Sequence, residues 1–180
     1  MTSANNQLDR PRRSFLAYGF LQQSEQPAGD TIDVVWSSSN GALYRLAPFA
    51  EGASAWPQLW MGYEDLAIGW ELHRKGWRQV LATKVIVDDN YELKAVRFGG
   101  KTMFLADKPS WYAYYQGRNL VALWKATKGK AVGTGALTLR LTADVLLAAA
   151  VHRNKRQRIA LLFRGVRDGL AGRFGKGSVP

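Results

Sequence analysis

Cysteine is absent from the 180-residue chain, which excludes a disulfide scaffold, a thiolate zinc site and a cysteine nucleophile. Histidine occurs only at His73 and His152, too few for a multi-histidine metal site. No uninterrupted apolar run approaches the roughly 18 residues of a membrane span, so no spanning helix is expected. The opening MTSANNQLDRPRRS lacks a hydrophobic segment and does not read as a secretory signal. Acidic residues are scarce in one region: residues 125–180 hold 12 Lys/Arg against Asp144 and Asp168, a net of +10, whereas residues 1–124 come to +1. Such a block attracts polyanions, either anionic lipid headgroups or nucleic acid. What remains, 47% apolar and 22% charged, is the composition of one ordinary globular domain.

Residues 1–30 are rich in Ser, Asn, Gln, Pro and Arg and read as irregular, a remnant of a linker. TIDVVW (31–36) alternates and is β-branched, the pattern of a strand. SSSNG follows as a loop, then ALYRL as a short element. Residues 50–62, with Trp56, Leu59 and Trp60, have the look of a loop over a cleft. DLAIGWELHRK (65–75) predicts a helix capped by Asp65, supported by a Glu71–Lys75 pair and stopped at Gly76. WRQVLATKVIV predicts a strand, AVRF-GG-KTMFL a hairpin, and Pro109 opens a helix to about Lys128. Two further helices are expected near 136–151 and 154–171. In the second, Ile159, Leu162, Phe163, Val166 and Leu170 form a stripe with Arg156, Arg164 and Arg167 between, a basic amphipathic helix.

Four groups of residues carry chemistry. Glu64 and Asp65 stand at a helix entrance, where the helix dipole favours an ionised carboxylate suited to general-base work; Asp65 reads equally well as a cap. Asp88 and Asp89 are hard oxygen ligands at a strand end, fit for magnesium or manganese or for a simple turn. Ser39 and Asn40 can hydrogen-bond sugar or phosphate oxygens. Trp111–Asn119, WYAYYQGRN, combines aromatic faces with Arg118, a set for stacking on a sugar or base and for binding phosphate, or alternatively for core packing. Glycine-rich phosphate loops and dinucleotide fingerprints are absent. The aromatics lie mainly outside the basic segment, which argues against nucleic-acid binding.

In this order, TIDVVW with SSSNGALYR, LWMGYEDLAIGWELHRKGWR, WYAYYQGRN and GVRDGLAGRFGKG resemble the C-terminal half of family-2 glycosyltransferases. The resemblance covers about residues 31–177. It implies an α/β fold: a partial GT-A-type nucleotide-sugar transferase domain, its acceptor half over 31–128, followed by a basic C-terminal helical tail over 129–180. It implies Asp65 as the base that deprotonates the acceptor hydroxyl in an inverting single displacement, with Glu64 positioning the acceptor. Trp56 and Trp60 would line the acceptor cleft with Ser39, Asn40 and Arg118. A Mg2+ or Mn2+ cofactor is expected, with Asp88 or Asp89 near the place where the family commonly has a histidine. The Asp-x-Asp motif and the nucleotide-binding half are not found in the chain, so it reads as the acceptor-side portion, inactive alone. The expected partners are a nucleotide-sugar donor, a glycan or lipid-linked acceptor and an anionic membrane surface, with the protein cytoplasmic at the inner face of a bacterial plasma membrane. The alternative is a non-catalytic membrane-surface module acting through the basic helices.

Overall fold

The computed structural model describes residues 30–34, 36, 42–82, 93–98, 101–106, 108–127 and 130–177. They belong to two compact units. The first comprises the chain up to residue 56 together with 64–90; the second comprises 57–63 and everything from residue 91 onward. Residues 1–29 of the expected linker lie outside the described residues.

In the first unit, β1 (Thr31–Val34) pairs antiparallel with β2 (Gln79–Ala82), Thr31 opposite Ala82 and Val34 opposite Gln79. The expected element at 42–46 is not regular; a single helical turn, α1 (Ala47–Ala50), forms just after it, where Pro48 fixes φ for a first turn. The helix α2 spans Glu64–Arg74, buries Leu66, Ala67, Gly69 and Leu72, and places acids in its first turn and His73 and Arg74 in its last, matching the backbone dipole. It starts one residue earlier than the capping pattern suggested, so Asp65 sits within the first turn rather than ahead of it. Its end is a Schellman turn: Gly76 has φ +80°, its N–H donates to the His73 carbonyl, and the Trp77 N–H donates to the Leu72 carbonyl, both at 3.0 Å. Glu71 pairs with Arg74 at 2.8 Å, while Lys75, its expected partner, donates to the Glu51 carbonyl. The Gln79 amide donates to the Gly69 carbonyl at 3.1 Å and ties β2 to α2.

In the second unit, β3 (Leu93–Phe98) and β4 (Lys101–Ala106) form the expected hairpin, antiparallel with Phe98 opposite Lys101. Three helices follow: α3 (Tyr112–Thr127), α4 (Lys130–Val151) and α5 (Lys155–Leu170). Burial runs nearly all round α3, from Ala113 to Trp124, which makes it the centre of this unit's core. The partner that covers it most intimately is α5. A Cβ on Gly165 would lie 1.9 Å from the Tyr114 carbonyl oxygen, one on Gly169 2.6 Å from the Arg118 oxygen, and one on Gly117 2.4 Å from the Leu162 oxygen. The two backbones are in contact, which only glycine permits.

That contact corrects the expected apolar stripe of α5. The buried face is Leu162, Gly165, Asp168 and Gly169, while Phe163 and Leu170 are 53% and 55% exposed. Each is one residue, about 100°, from the face that glycine selects. The basic C-terminal region is therefore part of the unit that α3 organises. The helix α4 begins six residues before the expected 136. Its stretch Thr134–Val151 is long and apolar enough to cross a membrane, with 17% of it buried. The short apolar runs of the sequence hid it, because Arg140 and Asp144 interrupt the stretch. On the helix they are one turn apart and pair at 3.1 Å, so the interruption carries no net charge.

Substituting Gly165→Ala should therefore lower stability by at least about 2 kcal/mol through forced overpacking. Gly135→Ala, on an open face of α4 with nothing within 4 Å, should raise it by about 0.5–1 kcal/mol. Urea unfolding of the two variants measures both; equal effects would contradict the backbone contact.

Candidate functional site

The second unit is built around Arg118 and Asn119, adjacent residues on α3. Arg118 is 0% exposed. Its Nε donates to the Asn119 Oδ1 (3.0 Å), one terminal nitrogen to the Gly175 carbonyl (2.5 Å) and the other to the Leu59 carbonyl (2.6 Å). The rings of Tyr115, Tyr114 and Phe174 surround the guanidinium, their centroids 4.9, 5.6 and 5.7 Å away. Hydrogen bonds to a charged donor contribute about 1.5–3 kcal/mol each, and the ring faces add cation–π attraction. Arg118, expected to bind acceptor, is placed here with each of its three nitrogens hydrogen-bonded within the unit and none facing solvent.

Asn119 completes the grip. Its side-chain amide donates to the carbonyls of Leu59 (2.9 Å), Met61 (2.8 Å) and Gly62 (2.8 Å). Those oxygens converge because the chain from Pro57 to Tyr63 turns sharply, first through a 3-10 turn at Pro57–Leu59. Trp60 and Tyr63 take left-handed backbone conformations, φ +63° and +70°, as does Gly62 at +81°. For a residue with a side chain such a conformation costs about 1–2 kcal/mol. Strain of this kind persists only where the surroundings fix it, and it concentrates at binding and catalytic loops. Here one guanidinium and one amide fix it.

The C-terminal segment closes the same assembly. A second Schellman turn ends α5: the Gly172 N–H donates to the Gly169 carbonyl (3.2 Å) and the Arg173 N–H to the Asp168 carbonyl (2.8 Å). Beyond it the Gly175 N–H donates to the Gln58 carbonyl (2.7 Å), and the Gly177 N–H to the Tyr115 hydroxyl (3.2 Å). Asp168 receives the Tyr114 hydroxyl at 2.9 Å and an Arg173 terminal nitrogen at 2.6 Å. The Arg173 hydrogen bond, reinforced by that of Tyr114, holds the Asp168 carboxyl below the usual carboxylate range although burial opposes this. Burial, with Asp168 beside it, raises the Tyr114 phenol above its ordinary value, so the hydroxyl stays a donor.

Trp60, expected in the acceptor cleft, is 53% exposed with the Lys176 ammonium 5.6 Å from its ring centroid. It shares the second unit with Arg118. Trp56, Glu64 and Asp65 belong to the first unit. Trp56 is half-buried with φ +50°, its indole N–H donating to Glu71 at 3.0 Å. Burial acts to raise the Glu71 carboxyl, but hydrogen bonds from Arg74 and Trp56 outweigh it and hold the group low. Glu64 and Asp65 occupy the first turn of α2, both half-buried. Ser39, Asn40, Asp88 and Asp89 lie outside the described residues. Among the described residues no group of three or more His, Cys, Asp or Glu is placed to hold a metal ion, and no step below runs through one.

Tyr114 and Asn119 lie in the stretch that the sequence pointed to, but without their roles here, and Asp168 and the Gly175 carbonyl were given none. Their signal was present as Tyr-Tyr-x-x-Arg-Asn and Gly-x-x-Asp-Gly, but those patterns do not reveal that the two segments meet. Comparison with protein-family models, with curated proteins and with solved structures finds no match.

The Asp168 network has a pH signature. A carboxyl whose folded value lies below its unfolded one, near about 4, stabilises the fold above that value and loses the contribution as pH falls through the folded value. Asp168→Asn should cost about 1–3 kcal/mol at neutral pH. The difference from the parent protein should shrink as the pH drops below the ordinary carboxylate value. Unfolding curves collected from neutral to strongly acid pH test this; a constant difference would exclude the ion pair as its cause.

Proposed function

We propose that the chain is the acceptor-side portion of a family-2-like inverting glycosyltransferase of GT-A type, handling a glycan or lipid-linked acceptor at a bacterial cell envelope. The supporting observation is convergence. Three segments whose order in the sequence suggested that family, Leu59–Gly62, Tyr114–Asn119 and Gly165–Gly177, meet on Arg118 and Asn119 in one unit. Tyr63, last residue of the clamped loop, precedes Glu64 and Asp65 directly in the chain.

In this reading Asp65 accepts the proton of the acceptor hydroxyl as the hydroxyl oxygen attacks the anomeric carbon, the nucleotide diphosphate leaving with the bonding pair. Glu64 orients the acceptor. Asp88 or Asp89 would hold a Mg2+ or Mn2+ ion, whose chemistry would be charge neutralisation at a diphosphate. Positioned general-base catalysis contributes about 100- to 10,000-fold. Transfer by the polypeptide in which this chain occurs should therefore drop by at least about a hundredfold on Asp65→Asn while the melting temperature holds. Undiminished turnover in that variant would rule the reading out.

One observation favours the alternative of a membrane-surface module. The helix α4 leaves Leu139 and Leu146 exposed, and basic residues flank it at Lys128, Lys130, Arg153 and Lys155. Such a helix suits the boundary between anionic headgroups and acyl chains. Co-sedimentation with vesicles containing phosphatidylglycerol should weaken by at least about tenfold when both leucines become glutamate. Unchanged sedimentation would remove α4 as the contact.

A further inference from the structure

Beside the buried assembly lies an open cleft of about 340 Å³ between the last turns of α5 and the segment that follows it. Four cationic side chains line it, Arg164, Arg167, Arg173 and Lys176, against the single carboxylate of Asp168, a net of +3. Unlike Arg118, these cations are exposed. We propose that this cleft binds a diphosphate group, a role that stands independently of sugar transfer.

The argument is one of pre-organisation. Ordinarily four cations gathered around so small a volume repel one another and scatter into solvent. Here Asp168 holds two of them: Arg173 donates to it at 2.6 and 3.2 Å, and the Arg167 Nε lies 3.5 Å away. Asp168 is itself fixed by the Tyr114 hydroxyl. The Arg164 guanidinium lies 5.8 Å from the Tyr114 ring centroid, and the Lys176 ammonium 5.6 Å from that of Trp60. Gly177 lets the segment pass close enough to form the wall, since a Cβ there would lie 2.7 Å from the Tyr114 ring. Side chains restrained before the ligand arrives lose less entropy on binding it.

Charge and donor geometry select the ligand. Three arginines present planar donor forks suited to phosphate oxygens, and Lys176 adds a point charge. A net of +3 matches a diphosphate, whereas a single carboxylate leaves most of the charge uncompensated. The volume falls at the small end for ligand pockets, about 300–1,000 Å³. An open cleft of this volume admits a diphosphate and leaves whatever is attached to it outside. A soluble diphosphate and one attached to a lipid share this chemistry.

Calorimetric titration of the full chain with pyrophosphate at low salt tests the site. Binding should weaken by at least about tenfold in Arg164→Gln/Lys176→Gln, which leaves the Asp168 network intact. It should stay within about twofold in Arg45→Gln/Arg78→Gln, the same charge loss at exposed residues of the first unit. Glucuronate, a carboxylate on a sugar, should bind at least about tenfold more weakly than pyrophosphate. Circular dichroism confirms that each variant folds, and Lys176→Gln alone serves if the double variant does not. Vesicles carrying a diphosphate lipid, compared with vesicles of phosphatidylcholine, separate the two sources: capture lost only in the cleft variant supports a lipid-borne diphosphate even if free pyrophosphate is weak. Equal losses in both double variants, glucuronate binding as well as pyrophosphate, or no binding of either diphosphate would overturn the proposal.

Discussion

A positive charge sealed inside a protein without a counter-charge is the constraint on which the second unit depends. Among the described residues no carboxylate pairs with Arg118, and burying an unpaired ion ordinarily costs several kcal/mol. Backbone carbonyls and aromatic faces replace the water it has lost. Each carbonyl must be held where the guanidinium needs it, so Leu59 and Gly175, far apart in sequence, have their positions set by one side chain. Removing that side chain would leave two carbonyls and a cage of rings without their common partner. The strain at Trp60 and Tyr63 is sustained by the same arrangement.

Tight backbone packing is the other half of this arrangement. The glycines of α5 let it approach α3 so closely that the Arg118 and Tyr114 carbonyls meet the opposing helix directly. A larger residue would hold the helices apart, withdraw the C-terminal segment, and open the cage around Arg118. Glycine at these positions has little to do with conformational freedom and much to do with shape.

Local signals in the sequence were legible where one element decides its own structure. Asp65 as a cap, the Glu71–Lys75 spacing and Gly76 located α2 to within a residue; Gly99-Gly100 between alternating segments located the β3–β4 hairpin. The failures are tertiary. Periodicity grouped Phe163 and Leu170 with Leu162 on one stripe of α5, but close approach turned the glycine face of the helix toward α3. Arg118, in a patch of tyrosines, suggested ligand recognition, and nothing local reveals that Leu59 and Gly175 arrive to occupy it. Counting uninterrupted apolar residues missed the length of the apolar stretch Thr134–Val151 of α4, because Arg140 and Asp144 cancel only once the chain is helical. The candidate acids Glu64 and Asp65 stand where the sequence put them, at the head of α2.

The Arg118 contacts also bear on the order in which the chain assembles. They join residues 57 and 59 positions apart, to opposite sides in sequence. Closing such long loops carries an entropy cost that must be met before the contacts reward it. Until both ends have arrived, solvating water remains the better partner for the guanidinium, and dehydration is the last step rather than the first. A ribosome releases the Gly175 end well after the loop and α3 have emerged. The loop before α2 therefore waits without part of its clamp while the intervening chain is made, acquiring its final shape only once Gly175 has emerged.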